Sequence, residues 1–424
     1  MNPPSKHVAL VFGASGISGW AVTNNLFNYP TPSTFSRVIG LTNRPMDLSG
    51  SQLPKNDPRL EIYSGINLRK DIETVKEQMR TKIPNLQDIT HVTEIEKAYS
   101  NATAYSVDVM EIRNINVIMT QTAVKAVDEV CTNLKFLSLQ TGTNSYGVAV
   151  FQHQDEIEIH PPLKESQPRI PSPYGDEIFY YGQVDAIKEL QKGKSWRWCE
   201  VRPDAIVGFV PGTTSIMTFL EPTALFLALW RYVHGPGAEI KFIGTATNYT
   251  HTNTDSSQDT IAKSHIYLST VKPEESNGEA FNTADNATPV SWVERWPVMV
   301  DYFGLQGTPP VEGAQSEHLY RRHSSYYILT YSPATFPVEK WWKEHQDDYK
   351  RMCVEYGLKH RDIPAASWTF TMGVGFSLLQ RNRAMCLDKI RSIGFKDELG
   401  MTEGYLIAFD RMVAANILPP RKLI

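Results

Sequence analysis

Gly13, Gly16 and Gly19, set in the run Gly-Ala-Ser-Gly-Ile-Ser-Gly over 13–19, are the residues best able to hold a ligand. Amides at a helix N-terminus point outward, the helix dipole favours an anion, and glycine removes the side chains that would block approach. That chemistry is the binding of a dinucleotide pyrophosphate, with Ser15 and Ile17 inside the same turn. A dinucleotide without a 2′-phosphate is usually met by a carboxylate at the end of the second strand. Thr42, Asn43 and Arg44 stand there instead. Arg44 can pair with a 2′-phosphate through a charge-assisted bond, so the expected cofactor is NADP(H), held in part by Asn43 and Arg44.

A second group of reactive residues follows LQTG at 139–142, where IFYYGQVDAIKEL runs from Ile178 into a helical pattern. In short-chain dehydrogenases a tyrosine on such a helix donates to the substrate oxygen, and a lysine one turn later lowers its pKa. Tyr181 has Asp185 at that spacing, and Tyr180 is the rival hydroxyl one residue away. Lys188 lies on the same helical face, two turns beyond Tyr181.

These residues need strands and helices to position them. HVALVF at 7–12 has the length and β-branched content of a buried parallel strand, the glycine turn opens a helix through Asn28, and FSRVIGLTNRP is a second strand at βαβ spacing. LEIYSGI, DITHVTEI and LKFLSLQTG alternate with helical stretches, one of them over roughly 108–132, and WCEVRPDAIVGF adds a further strand. The expected fold is α/β: a doubly wound parallel-sheet Rossmann domain over 1–212, with later sheet elements near 239–285 from EIKFI and EAFNTAD. Residues 213–424 are expected to form a mainly helical, interleaved substrate lobe, since 213–235 and 290–424 are rich in helix formers and aromatics. HTNTDSSQDTIAKSH, with His251 and His265, reads as a surface loop and not a metal site, because neither histidine has a ligand-type partner at i+3 or i+4.

The 424 residues carry 41% hydrophobic and 21% charged side chains and a net charge of -4, without a basic stripe, so nucleic acid and anionic membrane are not expected partners. Cys131, Cys199, Cys353 and Cys386 are scattered as reduced thiols would be. The N-terminus lacks the pattern of a signal peptide, and the apolar stretch from Thr213 to Val233 is interrupted by Glu221, Pro222 and Arg231. A cytoplasmic protein with a hydrophobic small-molecule substrate is expected, and a homodimer is compatible with this.

The whole chain resembles the progesterone 5β-reductase/iridoid synthase-like family, an atypical branch of extended short-chain dehydrogenases. The likeness rests on GxxGxxG at 13–19, THV at 90–92, LQTG at 139–142, PPL at 161–163, FYY at 179–181, RP followed by GF-P at 202–211, EAFN at 279–282 and GF at 394–395. It implies NADPH-dependent reduction of the C=C bond of enones or enals in specialised metabolism, with Tyr181 in the tyrosine role. It also implies a lysine just after LQTG, yet this chain reads Thr143, Asn144, Ser145, Tyr146, so Asn144 takes the lysine's place. An amide offers a dipole where a cation is expected, which leaves a non-redox cyclase or isomerase as the alternative. The resemblance further implies cofactor contacts from Asn67, Thr90 with its neighbour His91, Thr141, Pro203 and Ile206. Arg202 reads as structural. Tyr146, Phe151, Phe219 and Trp342, with Phe226 and Trp230, are expected to line the substrate pocket.

Overall fold

The computed structural model describes residues 7–94, 109–150, 153, 156–212, 218–311, 321–323, 326–328, 336–377 and 379–421. Strands β1 (His7–Phe12), β2 (Phe35–Thr42), β3 (Leu60–Ser64), β4 (His91–Glu94), β5 (Phe136–Gln140), β6 (Arg197–Pro203) and β7 (Glu279–Thr283) form one sheet in the order β3-β2-β1-β4-β5-β6-β7. All neighbours are parallel. The chain reverses direction of build-up between β1 and β4, which opens a ligand crevice at the carboxyl ends of the strands.

Alternation along β1 sends Leu10 and Phe12 to one face and Ala9 and Val11 to the other. The first face is covered by α2 (Ile72–Lys82), α3 (Val109–Val130) and α4 (Phe179–Gln191), through Val75, Met79, Val124, Val127, Val184 and Ile187. The second is covered by α1 (Ile17–Asn25) and α6 (Gln258–Thr270), through Trp20, Val22, Ala262 and Ile266. A separate core around Phe226, Trp296, Tyr349 and Phe409 holds the late helices together, including α5 (Leu220–His234). Among the described residues no helix is long and apolar enough to cross a membrane.

Two expectations change. EIKFI does not join the main sheet: Glu239–Lys241 pairs with Gln306–Thr308 in a two-stranded sheet of its own, whereas EAFNT becomes the edge strand β7. The polar run 251–265 is not a surface loop: it is largely buried, and from Gln258 onward it forms a covered helix. Ser257 caps α6 by accepting from the Thr260 amide, and the helix buries its polar residues against hydrogen-bond partners. Asp285 accepts from the Ser257 amide and the Thr260 hydroxyl, and the Ser264 and Thr283 hydroxyls lie 2.6 Å apart. His265 is buried with its Nδ1 2.5 Å from the Ser138 hydroxyl of β5.

Candidate active site

The glycine turn leaves β1 through Gly13, whose φ of +71° lies in the left-handed region that glycine adopts without strain. Gly16 is the N-cap of α1 and donates to the Gly13 carbonyl at 2.8 Å. A methyl group on Gly19 would fall 2.0 Å from the same carbonyl oxygen, so this helix can pack onto the turn only with glycine there. Ser15 is half-buried and Ile17 buried in the first helical residues. At the carboxyl end of β2, Asn43 and Arg44 are exposed, and the Arg44 guanidinium makes no ion pair among the described residues. Thr42 shapes this end by donating to the Arg44 carbonyl at 2.7 Å, and its hydroxyl oxygen lies 2.9 Å from that of Ser64. Asn67 follows β3, with its side-chain oxygen accepting from the Arg69 amide.

The strand that carries LQTG is tied to that turn. Gln140 donates to the Ser18 hydroxyl of α1 at 2.9 Å, across two buried side chains. Thr141 donates to the Glu200 carboxylate at 2.6 Å, and Arg202 grips the same carboxylate through Nε at 2.9 Å and Nη2 at 2.8 Å. Glu200 and Arg202 stand two apart on β6 and therefore share a face. Ser145 adds a longer contact to Glu200 at 3.3 Å. A charged pair at i, i+2 in the buried part of a strand is the signal by which sequence reading could have found Glu200. Below them Asp204 accepts from the Thr143 hydroxyl at 2.8 Å and from Arg383 Nε at 2.7 Å, joining the turn after β5 to the C-terminal part of the chain. Pro203 ends β6 and Ile206 follows it, half-buried, paired with Ser256.

The two tyrosines at the start of α4 occupy different surroundings. Tyr180 is buried, and a methyl group on Gly142 would lie 3.3 Å from its hydroxyl oxygen and 3.2 Å from the Pro203 carbonyl. Burial, then the negative charge of Glu200, pushes its phenol pKa up. The half-buried Tyr181 donates to the Ser145 carbonyl at 2.8 Å and accepts from the Ile170 amide at 2.9 Å. Burial raises its pKa also, but the Ile170 amide and the charges of Arg202 and Arg169 pull in the opposite direction. Asn144 lies in the same turn as Ser145, its side-chain oxygen accepting from the Ala149 amide at 2.9 Å. Lys188 is exposed on the outside of α4.

Several expected site residues sit elsewhere. Thr90 precedes β4 and bonds Val8 with both its amide and its hydroxyl. Thr90 lies beside Val8 and His91 pairs with Ala9, so at ~3.3 Å per residue they lie about 16 Å and 13 Å from Gly13, toward the end of the sheet away from the glycine turn. Tyr146 is buried and committed, donating to Asn282 at 2.7 Å and accepting from Arg202 at 3.2 Å. Phe219 packs edge-on to Trp292, Phe376 and Tyr405, and Trp342 packs on Tyr349 and Trp368; both belong to the core of the helical lobe and not to a pocket wall. Phe226 is in the same core, with Trp230 against it. Phe151 lies outside the described residues.

A seven-stranded parallel sheet with a glycine turn after β1 and tyrosines beside the ends of β5 and β6 defines the class as a dinucleotide-type Rossmann fold of the short-chain dehydrogenases. The model of the PRISE-like Rossmann-fold domain matches residues 9–419, and the chain belongs to that family. It is 44% identical over 424 residues to the short chain dehydrogenase ausT of Aspergillus calidoustus, covering 100% of this chain and 97% of that one. It is 28% identical over 302 residues to the 3-oxo-Delta(4,5)-steroid 5-beta-reductase of Arabidopsis thaliana, covering 71% and 70% of the two chains. Among solved structures it is similar in fold to the UDP-glucose 4-epimerase of Thermus thermophilus in complex with NAD, with a TM-score of 0.52, 16% identity, and coverage of 96% of this chain and 99% of that one.

Proposed function

We propose that the chain is an NADPH-dependent oxidoreductase that reduces the C=C bond of α,β-unsaturated carbonyl compounds. The observation that carries this reading is Tyr181, a half-buried phenol whose oxygen is fixed by the Ile170 amide while its proton rests on a replaceable acceptor, the Ser145 carbonyl. A substrate carbonyl oxygen that reaches Tyr181 takes that proton's hydrogen bond by a rotation of the O–H alone. The Ile170 amide then stabilises negative charge on the phenol as the substrate oxygen gains charge. Tyr180 is the poorer acid, because it is buried more deeply than Tyr181 and both that burial and the charge of Glu200 raise its pKa.

The residues at the turn fit the cofactor. Amides after Gly13 and Gly16 would hold the pyrophosphate, and the exposed Arg44, with no carboxylate at the end of β2, would suit a 2′-phosphate. NADPH, when bound, supplies the hydride for the substrate β-carbon. The Arabidopsis relative's name, a reductase of 3-oxo-Delta(4,5)-steroids, describes an enone substrate and supports this reaction class.

The test is incubation of the purified protein with NADPH and a panel of enones and enals, following the absorbance of the reduced nicotinamide. NADPH oxidation is expected, falling about a hundredfold or more in Tyr181→Phe, the typical effect of removing one preorganised donor. Product formation without NADPH consumption would establish the non-redox cyclase or isomerase instead. Loss of activity in Tyr180→Phe with Tyr181→Phe unaffected would transfer the role to Tyr180.

A further inference from the structure

We infer that Arg169, held in place by Asp185, supplies the cation at the Tyr181 phenol that a lysine would otherwise provide. The inference rests on Tyr181 being the acid of the proposed reaction. The two sequence positions from which a lysine would act are Asn144 and Asp185, and neither is a cation. Asp185 nevertheless brings one. One helical turn after Tyr181, its carboxylate accepts from Arg169 Nη2 at 2.7 Å and from Nη1 at 2.8 Å, a two-point grip that fixes the plane of the guanidinium. The guanidinium carbon lies 4.7 Å from the centre of the Tyr181 ring, within cation–π range. The next residue, Ile170, sends its amide to the Tyr181 oxygen. Two consecutive residues thus present a charge to the ring and a dipole to the oxygen.

Other charges act on the phenol as well. Arg202 favours the ionised form more strongly than Arg169 does, but Glu200, which Arg202 grips, opposes it at the same oxygen. The Arg169 and Asp185 side chains are 44% and 58% exposed, so water screens both charges, and it is the Arg169 guanidinium that lies over the ring. The charged groups facing Tyr181 are therefore Arg169 and Asp185 on the outer side, and Glu200 and Arg202 from β6. An exposed pair such as Arg169–Asp185 contributes little to stability, so its substitution reports on the tyrosine and not on folding.

The experiment follows ionisation of Tyr181 by NMR of protein labelled with 13Cζ-tyrosine, its signal assigned by disappearance in Tyr181→Phe. In Arg169→Met the titration midpoint is expected to rise by about half a pH unit, a roughly threefold change in acidity. The rise is expected to persist in Arg169→Met/Asp185→Asn and to be reversed by at least half in Arg169→Met/Asp185→Lys. Arg169→Lys, the milder change, is expected to fall between wild type and Arg169→Met. The inference is overturned if Arg169→Met titrates with or below wild type, if the Asp185→Asn double variant returns to the wild-type midpoint, or if Asp185→Lys fails to restore it. Turnover at neutral pH is expected to fall up to about threefold in Arg169→Met, in line with the midpoint. Absence of any reductase activity alongside the shifted midpoint would refute the proposed reaction and leave the role of Arg169 standing. Activity lost in Tyr181→Phe but unchanged in Arg169→Met would refute only the role of Arg169.

Discussion

Asn144 turns its side-chain oxygen back into its own turn, where it accepts from the Ala149 amide at 2.9 Å. Asn144, which we propose stands where the family resemblance implies a lysine, is thus engaged through its oxygen in holding the turn after β5. Asn144→Lys exchanges a local hydrogen bond, worth ~1 kcal/mol, for a cation beside Tyr181. We expect a variant about 1 kcal/mol less stable in urea unfolding whose turnover on simple enones rises about tenfold. An unchanged or lower turnover would count against Asn144 occupying the lysine's place.

Arg44 is exposed at the end of β2 and has no ion-pair partner among the described residues, so its charge is available to a ligand. A charge-assisted bond to phosphate is worth ~1.5–3 kcal/mol, or about tenfold to a hundredfold in affinity. Arg44→Ala is expected to weaken NADPH binding by that factor and to leave NADH binding within about twofold. Fluorescence titration with both nucleotides measures it; equal affinities in the wild type would remove the basis for NADPH preference.

Glu200 and Arg202 form an ion pair whose side chains are 3% and 14% exposed. Removing one member of a buried pair leaves the other charge without compensation, at a cost of ~3–5 kcal/mol. Glu200→Ala is expected to destabilise the protein by about that amount, and Glu200→Ala/Arg202→Met by distinctly less, since the stranded charge is gone as well. Additive losses in denaturant unfolding would show that the carboxylate serves Thr141 and Ser145 more than Arg202.

The parts of this molecule that are legible in its sequence are those governed by short-range pattern. HVALVF, the glycine turn and FSRVIGLT become β1, the start of α1 and β2 because length, β-branching and glycine spacing act over a few residues. The site depends on contacts between distant residues, which spacing does not encode. Whether Tyr180 or Tyr181 meets the turn after β5 depends on how α4 is rotated over the sheet, and Arg169 reaches Tyr181 only through the path of the chain before α4. Phe219 and Trp342 show the limit from the other side: aromatic composition suits a pocket wall and a lobe core equally, and packing decides. The polar residues of α6 misled because hydrogen bonds to Asp285 and with Thr283, which are remote in sequence, allow them to be buried.

His91, at the end of the sheet opposite the cofactor crevice, makes stability depend on pH. Its ring is buried 4.2 Å from that of His7, with Nδ1 2.9 Å from the Thr90 hydroxyl and Nε2 3.2 Å from the Ser269 carbonyl. A carbonyl can only accept, so the proton is assigned to Nε2. Burial, with the charges of His7 and Lys135, lowers the pKa from 6.5 to about 3. Between those values the unfolded chain binds a proton that the folded one does not, so the contribution is complete above pH 6.5 and is lost as the pH falls toward 3. The slope is ~1.4 kcal/mol per unit, or about 2 kcal/mol by pH 5. Asp285, whose pKa burial raises to about 6, works in the opposite direction, but it is present in both wild type and His91→Asn and cancels in their difference. Urea unfolding of the two proteins from pH 7 to 5 is expected to show the stability advantage of the wild type shrinking by about 2 kcal/mol. A difference that stays constant over that range would mean that His91 is already protonated in the folded state or free to leave its pocket.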